Sequence, residues 1–249
     1  MHAAVQAFGA LHQPGNPLIL YNIWDAGSAR AVADAGAKAI ATGSFGVARA
    51  RGSVDGENLS LDLVFSNLKE IQGVTDLPIT LDFEAGYGAD AVQVGKQVAR
   101  VAETGVVGIN LEDKDPKTRV MFDIAEAAAR ISAAAASGIW VNARCDLFII
   151  TPREEQGAAT VAAVIERAHA YAAAGANSLF VPFVFDGELI GELCAASPLP
   201  VNILVNPAAP GIAELARLGV ARISHGHGPW ARAMDQLTAD ARAAMAVLG

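Results

Sequence analysis

The chain has 249 residues, of which 53% are apolar and 18% are charged, and its 18 basic and 26 acidic side chains give a net charge of −8. A chain with this composition can bury a large core, which excludes an intrinsically disordered protein. The acidic balance argues against nucleic acid or an anionic membrane as a partner, because both need a basic surface. We therefore expect a globular protein with neither partner.

The cysteine content and the first residues bear on the cellular compartment. Two cysteines, Cys145 and Cys194, are too few for a disulfide framework and favour a reducing environment. The first 17 residues contain no basic region followed by an apolar stretch. No segment supplies the roughly 18 apolar residues of a membrane span. We expect a cytoplasmic protein without a targeting signal.

Short apolar segments alternate with Ala-rich segments of helical period, which is typical of βα units around a parallel sheet. The predicted strands are residues 18–23, 37–41, 79–83, 106–111, 140–143, 178–181, 201–205 and 222–224. Gly36, Gly105, Gly175 and Gly219 each fall between a helical segment and the next strand, where glycine favours a left-handed helix end.

Eight βα units in 249 residues match a closed (β/α)8 barrel of the TIM type. No glycine fingerprint of a dinucleotide-binding sheet follows the first strand, and no linker divides the chain. We predict one domain spanning residues 1–249. The segment 230–248 is helical in pattern and longer than closing the barrel needs, so we expect it to pack on, or exchange with, a neighbouring subunit.

Active sites of such barrels lie at the carboxyl ends of the strands, so polar residues there are candidates. In chain order these are Asn22, Trp24, Asp25, Thr42, Gly43, Ser44, Asp82, Glu84, Asn110, Glu112, Asp113, Asn142, Arg144, Asp146, Asn202, Asn206, Ser224, His225 and His227. We expect these side chains to converge on one mouth of the barrel.

Three carboxylates predict a metal site. Asp82 and Glu84 are two residues apart and point to the same side of an extended strand, and Glu112 holds the matching place on the next strand. Acids this close repel one another unless a cation or a shared proton is present. Oxygen ligands without His or Cys favour Mg²⁺ or Mn²⁺. The alternative is that these acids only cap the helices that follow.

Arg144 ends the predicted fifth strand, and its guanidinium can bind a carboxylate or a phosphonate with two hydrogen bonds. The alternative is an ion pair with the acidic cluster. His225 and His227 lack further His or Cys partners for a metal, so the glycines beside them are better placed to present backbone amides to an acid group.

An ordered set of motifs carries a family resemblance. The motifs are NIWDAGSARAVADAGAKAIATGS, LPITLDFEAGYG, GVVGINLEDK, VNARCD, PVNILVNP and GVARISHG. Over nearly its whole length the chain resembles the isocitrate lyase and phosphoenolpyruvate mutase superfamily. The resemblance implies a Mg²⁺-dependent barrel that makes or breaks a C–C or P–C bond beside a 2-oxo or 2-hydroxy acid, through a pyruvate-enolate-like species. It also implies a homodimer or homotetramer, because many members exchange the eighth helix.

The resemblance assigns roles to the acids. Asp82 is similar to the metal-ligating aspartate, while Glu84 and Glu112 are similar to acids that hold metal-bound waters. Asp55 matches another outer-sphere acid. Position 84 carries glutamate where the family usually has aspartate, which leaves the charge unchanged but lengthens the side chain.

The resemblance also implies substrate contacts. Gly43 and Ser44 match a loop that binds the substrate acid through backbone and hydroxyl groups, and Arg144 matches the substrate-binding arginine. We expect Trp24 and Phe45 to line the same pocket.

The segment after the fourth strand departs from the family lyases, in which a mobile gate carries a Lys-Lys/Arg-Cys-Gly-His motif with a catalytic cysteine. Here the sequence EDKDPKTRVMFDIAE has neither cysteine nor histidine and is too short for a full lid. Lys117 and Thr118 resemble the gate of the mutases and of phosphonopyruvate hydrolase, but the asparagine of those enzymes is absent and Arg119 follows. The proton donor is then Lys117, Tyr87 or a metal-bound water.

Our first hypothesis is a Mg²⁺-dependent lyase or decarboxylase of a small 2-oxo or 2-hydroxy carboxylate, with Arg144, Glu112 and Lys117 as catalytic residues. One alternative is P–C bond chemistry on a phosphonopyruvate-like substrate. Another is a protein that binds a 2-oxo acid without catalysis. A Schiff-base aldolase is less favoured, because only Lys114 or Lys117 could serve at the mouth.

Overall fold

A computed structural model of the chain describes residues 3–246, and its centre is an eight-stranded parallel sheet. The strands are β1 Leu18–Leu20, β2 Ile40–Ala41, β3 Ile79–Asp82, β4 Gly108–Glu112, β5 Trp140–Arg144, β6 Ser178–Val181, β7 Val201–Leu204 and β8 Arg222–Ser224. All eight predicted strands are confirmed, with ends that differ by up to three residues from the predicted ones.

The sheet curls into a barrel. Its order is β1-β8-β7-β6-β5-β4-β3-β2, so the first strand pairs with the last. A parallel bridge between Ile23 and Thr42 lies between the remaining two edges, just beyond β1 and β2. The (β/α)8 barrel predicted from the sequence is therefore confirmed.

Helices alternate with the strands and form the outer layer. They are α1 Ala3–Gly9, α2 Ala26–Asp34, α3 Ser44–Ala50, α4 Leu61–Gln72, α5 Ala91–Glu103, α6 Ile124–Ala135, α7 Leu147–Ile150, α8 Ala158–Ala173, α9 Gly187–Ala196, α10 Ile212–Arg217 and α11 Gly228–Met245. The four glycines predicted at helix ends all adopt a positive φ, for example +90° at Gly36, which confirms their place after α2, α5, α8 and α10. None of the helices described for residues 3–246 is both long and apolar enough to cross a membrane.

The amino-terminal end of the barrel is closed by α1 and the turn after it. Phe8 is fully buried in a cluster with Leu18, Leu20 and other apolar side chains. The His12 ring stacks on the indole of Trp140 with 4.6 Å between ring centroids. Burial lowers the pKa of His12 to about 3, so this histidine is uncharged. We call α1 and the turn after it the plug of the barrel.

Helix α11 packs little of its own length against the barrel, since Pro229 is the one residue of the helix that is buried. The predicted helix over 230–248 is confirmed as far as Met245, and residues 247 and 248 lie outside the described part of the chain. Its packing on a neighbouring subunit stays a prediction.

We expect the plug to contribute strongly to stability. Phe8→Ala should lower the free energy of unfolding by about 3–5 kcal/mol, because it leaves a cavity under the barrel. Urea unfolding followed by circular dichroism measures the change. Gln6→Ala, on the exposed face of the same helix, is the control and should stay within about 0.5 kcal/mol of the parent. Equal stabilities of the two variants would contradict this account of the plug.

Candidate active site

A cavity of about 430 Å³ opens at the carboxyl ends of the strands, where barrel active sites lie. Of the predicted site residues, the structure brings twelve to its wall: Asn22, Gly43, Ser44, Phe45, Asp55, Asp82, Glu84, Asn110, Glu112, Arg144, Ser224 and His227. The remaining wall includes the apolar residues Ile149, Phe180, Pro182, Phe183 and Leu204 and the cationic residues Lys114 and Arg119. Part of the predicted convergence is thus observed. The strand-end candidates that are not on this wall, besides Trp24, are Asp25, Thr42, Asp113, Asn142, Asp146, Asn202, Asn206 and His225.

Asp82, the last residue of β3, has one oxygen engaged and one free. Its Oδ2 accepts a hydrogen bond from the backbone N–H of Ser44 at 3.0 Å, and its own N–H donates to Thr42 Oγ1 at 2.9 Å. Its Oδ1 is buried and has no hydrogen-bond partner among the described residues. A buried carboxylate oxygen without a partner is costly. Asp82 Oδ1 is therefore suited to be a ligand of a hard cation.

Glu84 has both carboxylate oxygens engaged by the chain itself. Its Oε2 accepts from the backbone N–H groups of Gly56 at 2.7 Å and Glu57 at 2.6 Å, and its Oε1 accepts from the Tyr87 hydroxyl at 2.8 Å. Burial and the charge of Asp55 raise its pKa to about 7, although the Tyr87 hydrogen bond acts against the rise. Glu84 therefore fastens the loop that follows α3 to the end of β3.

Glu57, which the sequence analysis missed, completes the attachment of this loop. Its Oε1 accepts a hydrogen bond from the backbone N–H of Tyr87 at 2.7 Å, so the two loops hold each other reciprocally. Glu57, Glu84 and Tyr87 all adopt left-handed backbone conformations, with φ of 57°, 49° and 53°. Each such conformation costs about 1–3 kcal/mol in a residue other than glycine, which the surrounding hydrogen bonds offset. No local sequence pattern marks these hydrogen bonds between the two loops.

Arg144 bridges acids of two strand ends. Its Nη1 donates to Glu112 Oε1 at 2.5 Å, while its Nε and Nη2 donate to the two carboxylate oxygens of Asp146 at 2.6 and 3.1 Å. Burial acts to lower the pKa of Arg144, but the charges of Glu112 and Asp146 outweigh it and raise that pKa. The ion pair that the sequence analysis left as an alternative is present, and two of the five N–H groups remain for other partners.

Asp146 organises the cations of this wall. Besides Arg144 it pairs with the ammonium group of Lys114, a residue that is only 6% exposed and lines the cavity. Burial acts to raise the pKa of Asp146, but Arg144 and Lys114 outweigh it and lower that pKa. The Asp146 backbone N–H donates to Asp113 Oδ1 at 2.9 Å, and Asp113 also accepts from the Tyr171 hydroxyl at 2.6 Å. These contacts fix the orientation of Arg144.

Lys117 and Trp24, to which the sequence analysis gave a catalytic and a substrate-binding role, are not on the cavity wall. Lys117 is exposed in the loop after β4, where its backbone N–H donates to Asp115 Oδ1 at 2.8 Å, and its side chain does not line the cavity. Trp24 lines a separate apolar groove with Tyr21 and Pro229. The assignments of Lys117 as catalytic and Trp24 as substrate-binding therefore gain no support from the geometry.

The expected backbone contacts to a substrate acid are already used within the chain. The N–H of Gly43 donates to the carbonyl of Ile23 at 3.0 Å, and the N–H of Ser44 binds Asp82. The N–H groups of His225 and Gly226 donate to Asn22 Oδ1 at 2.9 and 2.7 Å. The Ser44 hydroxyl is likewise engaged, by the Asp55 carboxylate.

The acids do not form a ready-made ligand cage. Within residues 3–246, no three His, Cys, Asp or Glu side chains are arranged to hold one metal ion together. Burial raises the pKa of Glu112, although Arg144 acts against the rise. Asp82 is the acid with an unpaired buried oxygen, which agrees with one direct ligand and outer acids around it.

An acid-lined mouth on a (β/α)8 barrel defines the class of enzyme scaffold to which the chain conforms. The family model described as phosphoenolpyruvate phosphomutase matches residues 8–245. The chain belongs to this family, as the motif resemblance predicted.

Relatives support this membership. A provisionally assigned phosphonomutase of Burkholderia cenocepacia J2315 has a solved structure with a TM-score of 0.94 and 46% identity, covering 97% of this chain and 98% of its own. An uncharacterized protein of Mycobacterium tuberculosis is 35% identical over 241 residues, 95% of this chain and 88% of its own length.

Relatives with an assigned activity include lyases and decarboxylases. Oxaloacetate decarboxylase 2 of Pseudomonas fluorescens is 28% identical and covers 94% of this chain and 81% of its own. The 2-methylisocitrate lyase of Salmonella typhimurium is 29% identical, with coverages of 84% and 73%. A phosphonopyruvate hydrolase solved with oxalate and Mg²⁺ shares the fold at 24% identity and a TM-score of 0.81, with coverages of 97% and 87%. These relatives support an enzyme.

The raised pKa of Glu84 predicts a pH-dependent stability of the metal-free protein. Because folding raises this pKa from 4.5 to about 7, the folded state binds the proton more tightly. The stabilisation is complete below pH 4.5 and is lost as the pH rises through 7, by roughly 1–3 kcal/mol. In Glu84→Gln, which cannot ionise, stability should fall less between pH 5 and 8.

Urea unfolding in the presence of a chelator checks this. Glu103→Gln, on an exposed part of α5, is the matched control and should keep the parent's pH dependence. If Glu84→Gln changed the free energy of unfolding by the same amount at pH 5 and at pH 8, ionisation of Glu84 would not affect stability.

Proposed function

We propose that the protein is a Mg²⁺-dependent lyase that cleaves a C–C bond of, or decarboxylates, a small 2-oxo or 2-hydroxy carboxylate. The observation that carries the proposal is the unpaired buried Oδ1 of Asp82 in a cavity that also holds the Arg144 guanidinium. The decarboxylase and lyase activities of relatives support C–C chemistry over P–C chemistry. Lys117 and Thr118, whose resemblance to the mutase gate favoured P–C chemistry, are exposed and do not line the cavity.

The donor set suits Mg²⁺. Carboxylate oxygen is the ligand that this hard ion prefers, and Asp82 would hold it directly, with Glu84 and Glu112 as outer-sphere acids. When bound, Mg²⁺ supplies a Lewis acid that withdraws charge from the carboxylate and the neighbouring oxygen of the substrate. Mn²⁺ would fit the same donors.

The chain's own residues bind and orient the substrate. Arg144 places a second positive charge at the mouth, and its attachment to Asp146 and Glu112 keeps the guanidinium from reorienting. The Ser44 hydroxyl, which hydrogen-bonds the Asp55 carboxylate, lies on the same wall. Phe45, Phe180 and Phe183 cover the apolar side of the cavity and limit access of water to the developing charge.

Proton delivery to the product needs a group on the cavity wall. The Tyr87 hydroxyl donates to Glu84, and Lys117 lies outside the cavity. Lys114 is held by Asp146. We assign this role to His227, which lies on the wall with its ring centroid 5.5 Å from that of Phe45, because an imidazole ring can both donate and accept a proton.

Asp82→Asn tests the metal ligand. In calorimetric titrations the parent should bind oxalate, which mimics the two oxygens of an enolate, only when Mg²⁺ is present. We expect the variant to weaken this binding at least about 100-fold, because an amide oxygen replaces a charged ligand. Asp34→Asn, at the exposed end of α2, should bind as the parent does. Undiminished Mg²⁺-dependent binding by Asp82→Asn would overturn the proposed metal site.

His227→Asn tests the proton donor. We expect kcat for the acid that turns over best, with oxaloacetate and 2-methylisocitrate in the panel, to fall by about 10²- to 10⁴-fold while KM changes little. His169→Asn, exposed on α8, is the matched control and should retain full kcat. A variant of His227 with normal kcat would rule out this assignment.

A further inference from the structure

The cations deep in the cavity are already neutralised. Arg144 is paired with Glu112 and Asp146, and Lys114 shares Asp146. Two further wall acids, Asp55 and Glu84, add negative charge when ionised. If Mg²⁺ binds at Asp82 as proposed above, its positive charge balances the negative charge of the substrate oxygens that chelate it. A second acid group on that substrate would then meet excess negative charge unless another cation faces it.

Arg119 supplies such a cation at the rim of the cavity. Among residues 3–246 its guanidinium has no carboxylate within ion-pair distance, unlike those of Arg144 and Arg167. It is therefore free to bind a ligand.

The loop 113–123 fixes the place of Arg119. The Asp115 carboxylate accepts from the N–H groups of Lys117 and Thr118 at 2.8 and 2.7 Å, and the Arg119 N–H donates to the Asp115 carbonyl at 2.9 Å. An antiparallel bridge between Lys114 and Met121 joins the two arms of the loop. Arg119 adopts φ of 60°, a left-handed conformation that reverses the chain after the exposed Lys117 and Thr118. This reversal returns residue 119 to the cavity wall.

The same rim is bounded by the loop that Glu84 fastens. A Cβ added at Gly56 would lie 3.7 Å from the carbonyl oxygen of Pro116, so the two loops are in contact. Val54, Asp55, Gly56, Pro116 and Arg119 together form this part of the wall. Both loops are internally hydrogen-bonded, which holds the rim in one arrangement.

We propose that Arg119 is a specificity-determining residue that binds a second acid group of the substrate, a carboxylate or a phosphonate at the end remote from the chelated oxygens. This inference rests on the proposed function. A planar guanidinium can bind either group with two hydrogen bonds. The short loop would then select doubly acidic substrates by a fixed charge.

Three stable 2-hydroxy acids of similar length test this. Malate ends in a carboxylate, phosphonolactate ends in a phosphonate, and 2-hydroxybutyrate ends in a methyl group. Calorimetric titration in Mg²⁺ should show that the parent binds malate or phosphonolactate at least about tenfold more tightly than 2-hydroxybutyrate. The acid that binds more tightly identifies the second group.

Arg119→Gln should remove this preference, weakening the doubly acidic ligand about tenfold or more while leaving 2-hydroxybutyrate and oxalate unchanged. Arg119→Lys keeps the positive charge but loses the planar guanidinium that can make two hydrogen bonds. This variant should bind the doubly acidic ligand with intermediate affinity. Arg30→Gln, exposed on α2, controls for the loss of one positive charge and should bind as the parent does.

The outcomes separate the two proposals. If oxalate does not bind the parent in Mg²⁺, the proposed function fails. If oxalate binds normally but Arg119→Gln keeps the preference for the doubly acidic ligand, or the parent has none, the role of Arg119 alone is overturned. A weakening of oxalate and 2-hydroxybutyrate to the same degree would also overturn it, because the change would then act on the chelating end.

Discussion

Repulsion among buried carboxylates at the carboxyl end of the barrel is the constraint that organises this molecule. Asp82, Glu84 and Glu112 lie on one wall, and each is compensated differently. Glu112 faces a guanidinium, and Glu84 accepts two backbone N–H groups and a hydroxyl. Asp82 accepts one N–H and keeps an oxygen unpaired. The compensation leaves one place where a cation would lower the energy, and that place is at the end of β3.

The same contacts build the cavity's rim. The backbone N–H groups of Gly56 and Glu57 donate to the Glu84 carboxylate, which fixes their loop against β3. The Tyr87 N–H donates to the Glu57 carboxylate, which fixes the turn at Tyr87 in return. The loop after β4 is equally self-contained, because the Asp115 carboxylate closes it. Family lyases use a mobile gate after the fourth strand. This chain has two short loops held by hydrogen bonds, and the proposed specificity of Arg119 depends on those loops holding it in place.

The sequence predicted the parts of the structure that follow periodic patterns. Alternation of apolar and helical segments located the strands, and because parallel strands end at one edge, Asp82, Glu112 and Arg144 were expected together. Loop conformation is set by tertiary hydrogen bonds that no local pattern encodes. The pairing of Lys114 with Asp146, the absence of Lys117 from the cavity wall and the part played by Glu57 were therefore not predicted. The longer acid at position 84 was noted in the sequence, but its reach to two backbone amides became evident only in the folded chain.

We propose that this mouth breaks a C–C bond with the help of a divalent cation. The most direct test follows oxaloacetate, malate, 2-methylisocitrate and phosphonopyruvate by proton and phosphorus NMR, with protein in Mg²⁺ and with protein in a chelator. The account predicts that one carboxylate is split into two carbon-containing products in Mg²⁺ at a rate above the protein-free background, and that the chelator abolishes the reaction. Release of phosphate from phosphonopyruvate alone, or oxalate binding without consumption of any acid, would contradict it.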